Sequence, residues 1–162
     1  MTETLPYEDQ ETSLSLTDHG EYIVKRLAHY TITYEPSSQQ LMFHFEAKDL
    51  LTFVTFLYED THCHYNTLTD IFCIDFPGRF ERFRLIYHLT SLKYHRRIAL
   101  SCWCNERFVS LSSIFSAAEI YERAIWDGFG IQFLNHHDHR RLFPVSPLSD
   151  FPLRKDTPLR AG

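Results

Sequence analysis

The chain has 162 residues, 44% apolar and 15% aromatic, with 16 Lys and Arg against 21 Asp and Glu and a net charge of −5. That length suits one domain that buries roughly 70% of its unfolded surface, and the acidic balance argues against a general nucleic-acid binder. The longest mostly apolar run, Leu50 to Tyr58, is broken by Thr52 and Thr55 and is far shorter than the about 20 residues a membrane-crossing helix needs.

Residues 1–19 read as an acidic N-terminal segment. Glu3, Glu8, Asp9 and Glu11 fall in the first 16 residues, which hold no Lys or Arg. An Arg-rich presequence, or a basic start followed by an apolar stretch, would look different. The expectation is a solvated tail on a protein that works where it is made, or whose targeting piece lies outside this chain.

Residues 20–134 carry the periodic patterns of one domain. Gly20 to Tyr30 fits a short helix, with Tyr22, Ile23, Arg26 and Leu27 spaced for one face. Tyr30 to Tyr34 and Leu41 to Phe45 alternate around Pro36-Ser37-Ser38, as a hairpin would. Ala47 to Asp60 changes period: Leu50, Leu51, Val54, Leu57 and Tyr58 form the stripe of an amphipathic helix. Thr67 to Phe76 is a strand ended by Pro77-Gly78. Phe80 to Leu89 is a clear strand, with Phe83, Leu85, Tyr87 and Leu89 on one face and Arg82, Arg84 and His88 on the other. After a turn at Ser91 to His95, Arg97 to Cys104 returns with Ile98, Leu100, Cys102 and Cys104 together. Ser112 to Asp127 reads as a helix with Ser112 or Ser113 as N-cap and Gly128 near its end. The expected class is therefore α+β: a mostly antiparallel sheet of four or five strands packed with helices.

Residues 135–162 sustain neither period. From 136 onward they hold four of the seven prolines (Pro144, Pro147, Pro152, Pro158) and five of the 16 Lys and Arg. Proline removes a backbone donor and biases its predecessor toward extended shapes. Leu142, Phe143, Val145, Leu148, Phe151 and Leu153 make the segment apolar as well as basic. It reads as an extended C-terminal tail lying on a partner, or packed on its own domain.

Groups able to do chemistry are scattered along the chain. Cys63, Cys73, Cys102 and Cys104 read as reduced thiols, because a chain this apolar does not depend on disulfides. His62-Cys63-His64, Cys102-Trp103-Cys104 and His136-His137-Asp138-His139 offer ligand atoms, but not at the spacings of structural zinc or iron–sulfur sites. A phosphate-cradling glycine loop and a G-x-S-x-G elbow are absent from the sequence. Near the end of the domain, Glu122, Arg123, Asp127, Arg140 and Arg141 crowd together. Glu122 and Asp127 lie five apart and suit holding arginines better than sharing a proton, which reads as an ion-pair lattice anchoring the start of the tail.

At these residues the chain resembles the 30-kilodalton subunit of respiratory complex I, the NADH:quinone oxidoreductase (mitochondrial subunit 9 and its bacterial counterpart). The signature there reads E-R-E-x-aromatic-D, two apolar positions, then G-I-x-F-x-G-H-P-D-L-R-R-I-L. Glu122, Arg123, Asp127, Phe129, Gly130, Ile131, Phe133, His136, Asp138, Arg140 and Arg141 match in place. Without a gap, the later H-P-L-R-K-D-F-P pattern meets Pro152, Leu153, Arg154, Lys155, Asp156 and Pro158. Leu68-Thr69-Asp70, Phe80-Glu81, Tyr87-His88-Leu89, Ser91-Leu92 and Arg97-Ile98 are similar too. The chain departs from the pattern at Ala124, Gly128, Asn135, His137, His139 and Asp150-Phe151, as a divergent member would.

The resemblance implies a core subunit of the peripheral arm, packed on the 49-kilodalton subunit near the quinone site and touching neighbouring subunits through its tail. It implies a hetero-oligomer with no direct membrane span and no nucleic-acid partner. It implies no catalytic, cofactor-binding or metal residue on this chain, with FMN and iron–sulfur clusters on other subunits. The whole complex would then carry electrons from NADH to ubiquinone with proton translocation. The implied place is the matrix side of the mitochondrial inner membrane, or the cytoplasmic face of a bacterial membrane. Alternatives are the equivalent subunit of a sister complex (plastid-type NADH dehydrogenase-like or membrane-bound hydrogenase), a stand-alone His-rich metal-binding or hydrolytic domain, and a plain interaction module.

Overall fold

A computed structural model describes residues 16–30, 33–36, 40–138, 140–142 and 151–157. The acidic residues of segment 1–15, the turn at Ser37-Ser38, His139, and tail residues 143–150 and 158–162 lie outside the described residues. Within them the order is α1 (Leu16–Arg26), β1 (Thr33–Pro36), β2 (Leu41–His44), a 3-10 turn (Ala47–Asp49), α2 (Leu50–Glu59), β3 (Thr67–Asp75), β4 (Phe83–Ser91), β5 (Arg96–Cys104), β6 (Arg107–Val109), α3 (Ala118–Phe129) and β7 (Gln132–Leu134). The class is α+β, as the sequence pattern indicates.

The main sheet has five strands in the order β1-β2-β5-β4-β3. Three of its pairings are antiparallel, while β2 runs parallel to β5, placing Phe43 opposite Leu100. Alternation alone reveals a strand but not its neighbour, so this crossover was not legible in advance. β4 shows strict alternation of buried and half-buried residues. β5, flanked by β2 and β4, buries Ala99 and Ser101 on its second face as well. The core residues of α1, α2 and α3 form one cluster with Leu41, Phe43, Leu85, Tyr87, Leu89, Ile98 and Leu100. Each large apolar side chain removed from water in this cluster contributes roughly 2 kcal/mol.

Several boundaries differ from expectation. α1 begins at Leu16 and ends at Arg26, four residues before Tyr30. The stripe of α2 is Leu50, Phe53, Val54 and Leu57, whereas Tyr58 is exposed. The helix expected from Ser112 begins only at Ala118. Ser110 Oγ takes the Ser112 amide at 3.0 Å, and Ile114 and Phe115 both donate to the Leu111 carbonyl. The Ser110 side chain competes here for a backbone group that a helix would use. β6 and β7, each three residues long, form a separate parallel pair that the sequence did not announce. α3 ends at Phe129, with Gly128 inside its last turn and Gly130 as its C-cap. Gly130 is left-handed at φ 78°, and its amide donates to the Trp126 carbonyl at 2.8 Å. Glycine takes that conformation without a Cβ penalty.

Candidate functional site: a buried carboxyl nest and a tail clasp

The signature residues gather where α3, β6 and β7 meet. Glu122 points inward from α3 and is fully buried. Its Oε1 accepts the Leu111 amide at 2.7 Å and its Oε2 accepts the Ser110 hydroxyl at 2.6 Å. The expectation that Glu122 holds an arginine is corrected: its partners are neutral donors on the segment after β6. Burial pushes its carboxyl up to about 7, against the opposing pull of those two hydrogen bonds. His136 follows β7 and is buried, its Nε2 lying 3.9 Å from Glu122 Oε2. His136 Nδ1 accepts the Asp138 amide at 3.0 Å, so Nε2 carries the proton and donates to the Glu119 carbonyl at 3.1 Å.

A turn at Asn135 brings His136 inward. Asn135 has φ 64°, left-handed backbone that glycine adopts freely and asparagine tolerates better than most residues. The departure from glycine at this position thus preserves the turn. A pocket of about 420 Å³ opens beside the nest, lined in part by Glu122, Arg123, Trp126, Phe133, His136 and Asp138.

The expected ion-pair lattice is present one step outward, with a changed membership. Arg123 donates through Nε to the Arg140 carbonyl at 2.9 Å and through Nη2 to the Arg141 carbonyl at 3.2 Å. Its Nη1 lies 3.3 Å from Asp138 Oδ2. Asp138 also takes Arg140 two-handed, Nε to Oδ1 at 2.9 Å and Nη2 to Oδ2 at 2.8 Å. The Arg140 guanidinium, then its amide, hold the Asp138 carboxyl well below the usual carboxylate range. Asp127 engages backbone, accepting the Leu142 amide at 2.7 Å. The chain leaving β7 is therefore held by side chains of α3 that grip its peptide groups.

Residues 151–157 form a second anchorage, folded into turns rather than extended, on the chain's own domain. Arg82 is bidentate to Asp75, Nε to Oδ1 at 2.7 Å and Nη2 to Oδ2 at 2.8 Å. The same guanidinium reaches both oxygens of Asp156, at 2.8 and 2.9 Å. Asp75 also accepts the Lys155 amide at 2.8 Å. The Arg82 hydrogen bonds hold the Asp75 carboxyl below its ordinary range despite its burial. Arg154 donates to the Phe129 carbonyl at 2.6 Å and stacks over Phe83 and Phe151. The Leu153 amide caps the Gly128 carbonyl at 3.0 Å. Pro152 is exposed at the outer side of these turns.

Two glycines make room for this clasp. A Cβ on Gly128 would lie 2.5 Å from Leu153 Cδ1, and one on Gly130 would enter the Phe151 ring. Gly128, beneath Leu153, and Phe151, against Gly130, are both departures from the signature, and both serve the seating of the tail. Asp75, Arg82 and Ser110 were missed as site residues. The first two flank the Pro77-Gly78 turn between two expected strands, which was the available signal.

The four cysteines are separate thiols, three of them buried. Burial raises the thiols of Cys63, Cys73 and Cys102 and pushes Cys104 up to about 12. Among the described residues, no group of three or more His, Cys, Asp or Glu is placed to hold a metal ion. Among them, too, no helix is long and apolar enough to cross a membrane.

Fold and site together define an α+β scaffold whose residues 151–157 are clasped back beside its own sheet. Residues 43–162 match the family of the respiratory-chain NADH dehydrogenase 30 Kd subunit, and the chain belongs to it. It is 33% identical to NADH-ubiquinone oxidoreductase subunit 9 of Reclinomonas americana over 93% of this chain and 74% of that protein. It is 34% identical to an NADH-quinone oxidoreductase subunit of Paramagnetospirillum magneticum over 90% of this chain and 74% of that protein. Solved structures share the fold. A trypsin-resistant fragment of Nqo5 superposes with a TM-score of 0.61 at 24% identity, covering 73% of this chain and 97% of that one. A chain of an archaeal respiratory membrane complex, the membrane-bound sulfane sulfur reductase, does so with a TM-score of 0.70 at 23% identity, covering 87% of this chain and 86% of that one.

Proposed function

We propose that this chain is a core structural subunit in the peripheral arm of a proton-translocating NADH:quinone oxidoreductase, packed on the 49-kilodalton subunit near the quinone site. The observation that carries this reading is how the signature is spent. Arg123, Asp127, Asp138, Arg140, Arg154 and Asp156 all have partners within the chain, and those contacts fix the path of a tail. A signature of that kind sets the shape of an assembly component, and the names of the relatives supply the assembly.

On this reading the chain holds neither active site nor cofactor. FMN and iron–sulfur clusters on other subunits carry electrons from NADH to ubiquinone, and this chain contributes position. The subunit lies on the matrix side of the mitochondrial inner membrane, or on the cytoplasmic face of a bacterial one, without a span of its own.

The test is to tag the chain in its source, solubilise membranes gently, and stain a native gel for NADH dehydrogenase activity, with mass spectrometry of the band. Co-migration with the 49-kilodalton homologue in a large NADH-active band is expected. A large band without NADH activity would reassign the chain to a sister complex with another electron donor. Migration alone, with stoichiometric metal, would favour the metal-binding alternative.

A further inference from the structure

We propose that the outward face of the main sheet, centred on Arg84 and Trp103, is a docking surface for a carboxylate-bearing, partly apolar surface of a neighbouring protein subunit. The helices pack on the opposite face, where the whole core cluster lies. On the outward face the cross-strand pairs set Phe72 beside Ile86 and Ile74 beside Arg84, with Arg84 beside Trp103. Phe72 is 48% and Ile74 37% exposed, an unusual state for large apolar residues on neighbouring positions of one sheet face.

The charge on this face selects the occupant. Arg84 is half-buried, donates to Ser101 Oγ at 2.7 Å, and lies near Met42 Sδ at 3.7 Å and His44 Nδ1 at 3.4 Å. Among the described residues it pairs with no carboxylate. Arg79 sits 4.4 Å from the centre of the Trp103 ring and likewise has no acidic partner among them. Arg97 shares the outward side of β5, and the acid on the outward positions of β2 to β5 is Asp70. On those strand positions Arg84 and Arg97 stand against one acid, while Glu46 and Glu81 border Trp103 at the rim. A half-buried guanidinium without a counter-ion, stacked with tryptophan among exposed apolar side chains, has the composition of an interface hot spot that an acid would complete. A second copy packed two-fold about this centre would set Arg84 against Arg84, which disfavours self-association there.

This inference rests on the chain being part of a larger assembly, and its test separates the two. A photo-crosslinking phenylalanine analogue is placed at position 72 of the full tagged chain in its source, and cross-linked species from the assembled complex are identified by mass spectrometry. Arg84→Glu and Phe72→Ser are compared for incorporation into the complex, with the melting temperature of each purified full chain as a check on folding. The expected result is a cross-link to an Asp- or Glu-containing segment of another subunit. Incorporation should fall at least about tenfold for both variants, with melting little changed. An assembled complex with no cross-link from position 72 and normal incorporation of both variants overturns the docking surface and leaves the proposed function standing. A cross-link to a second copy, or to residues 1–15 of the same chain, also overturns it. A chain found in no assembly at all overturns both.

Discussion

Glu122 and Asp75 are both carboxylates shut away from water, and the molecule keeps them by opposite means. Glu122 sits among neutral donors, a hydroxyl and an amide, and burial raises its affinity for a proton. Asp75 meets a bidentate guanidinium and a tail amide, and its charge is held on. The first region joins α3 to the segment after β6. The second joins a hairpin to a stretch 80 residues further along the chain. A nest of neutral donors can keep a carboxyl in either protonation state and serves packing. A charged clasp depends on its counter-ion and serves to hold a tail in place. Removing one group at a time should therefore have different consequences in the two regions.

The largest effect is expected from Glu122→Ala, which strands the Leu111 amide and the Ser110 hydroxyl beside a new cavity and should cost about 3 kcal/mol in urea unfolding. Glu122→Gln separates shape from charge. Its carbonyl can take the Leu111 amide while its NH₂ donates to Ser110 Oγ, whose own proton turns to Ser112 Oγ at 2.8 Å. The folded carboxyl sits at about 7, above its ordinary value of 4.5. Its contribution to stability is thus fully present below pH 4.5 and lost as pH rises through 7. Glu122→Gln should gain on the wild type over that rise, by up to about 3 kcal/mol. Parallel pH profiles for the two proteins would show that the carboxyl is not the titrating group.

At the clasp, Arg82→Ala leaves Asp75 buried with only the Lys155 amide. A cost of about 2 kcal/mol is expected, reduced from that of a fully buried pair because Arg82 is partly solvated. The sharper readout is trypsin cleavage after Arg154 and Lys155, which the clasp should suppress and Arg82→Ala should release. Gly130→Ala attacks the same seat from the other side, combining left-handed strain with intrusion into Phe151, for about 1–2 kcal/mol. Gly78→Ala is the internal control: it has φ 88° and open space around it, so it should carry the strain alone and leave the tail protected. Equal trypsin sensitivity in the two glycine variants would remove Phe151 from the account.

The contrast also explains what could be read in advance. β4 and α2 announced themselves because each buries one face at the period of its backbone, and the family signature located the nest and the lattice. The parallel pairing of β2 with β5 was hidden because register between distant strands leaves no local pattern. β6 and β7 are too short for alternation to register. The late start of α3 depends on Ser110 Oγ capturing the Ser112 amide, a choice made by tertiary position. The ion-pair reading of Glu122 failed for a similar reason. Sequence places an arginine beside it at Arg123, but on a helix adjacent residues face different directions, and Glu122 turns inward while Arg123 turns to the tail.

The smallest effect on the isolated chain, and the most informative about assembly, is expected at Arg140. Its guanidinium is exposed and its partner Asp138 keeps Arg123 at 3.3 Å when it is removed. The peptide carbonyl of Arg140, which Arg123 grips, survives substitution. Arg140→Ala should therefore leave the melting temperature of the free chain essentially unchanged. If the proposed assembly holds, the same substitution should lower the amount of intact complex while leaving the quinone KM of what does assemble unaltered, because the role assigned to Arg140 is to set the departure of the tail. Asp127→Ala is the companion: it frees the Leu142 amide two residues on and should weaken assembly in the same direction. Normal assembly with a selective rise in quinone KM would instead place these residues in direct communication with the substrate and overturn a purely architectural role.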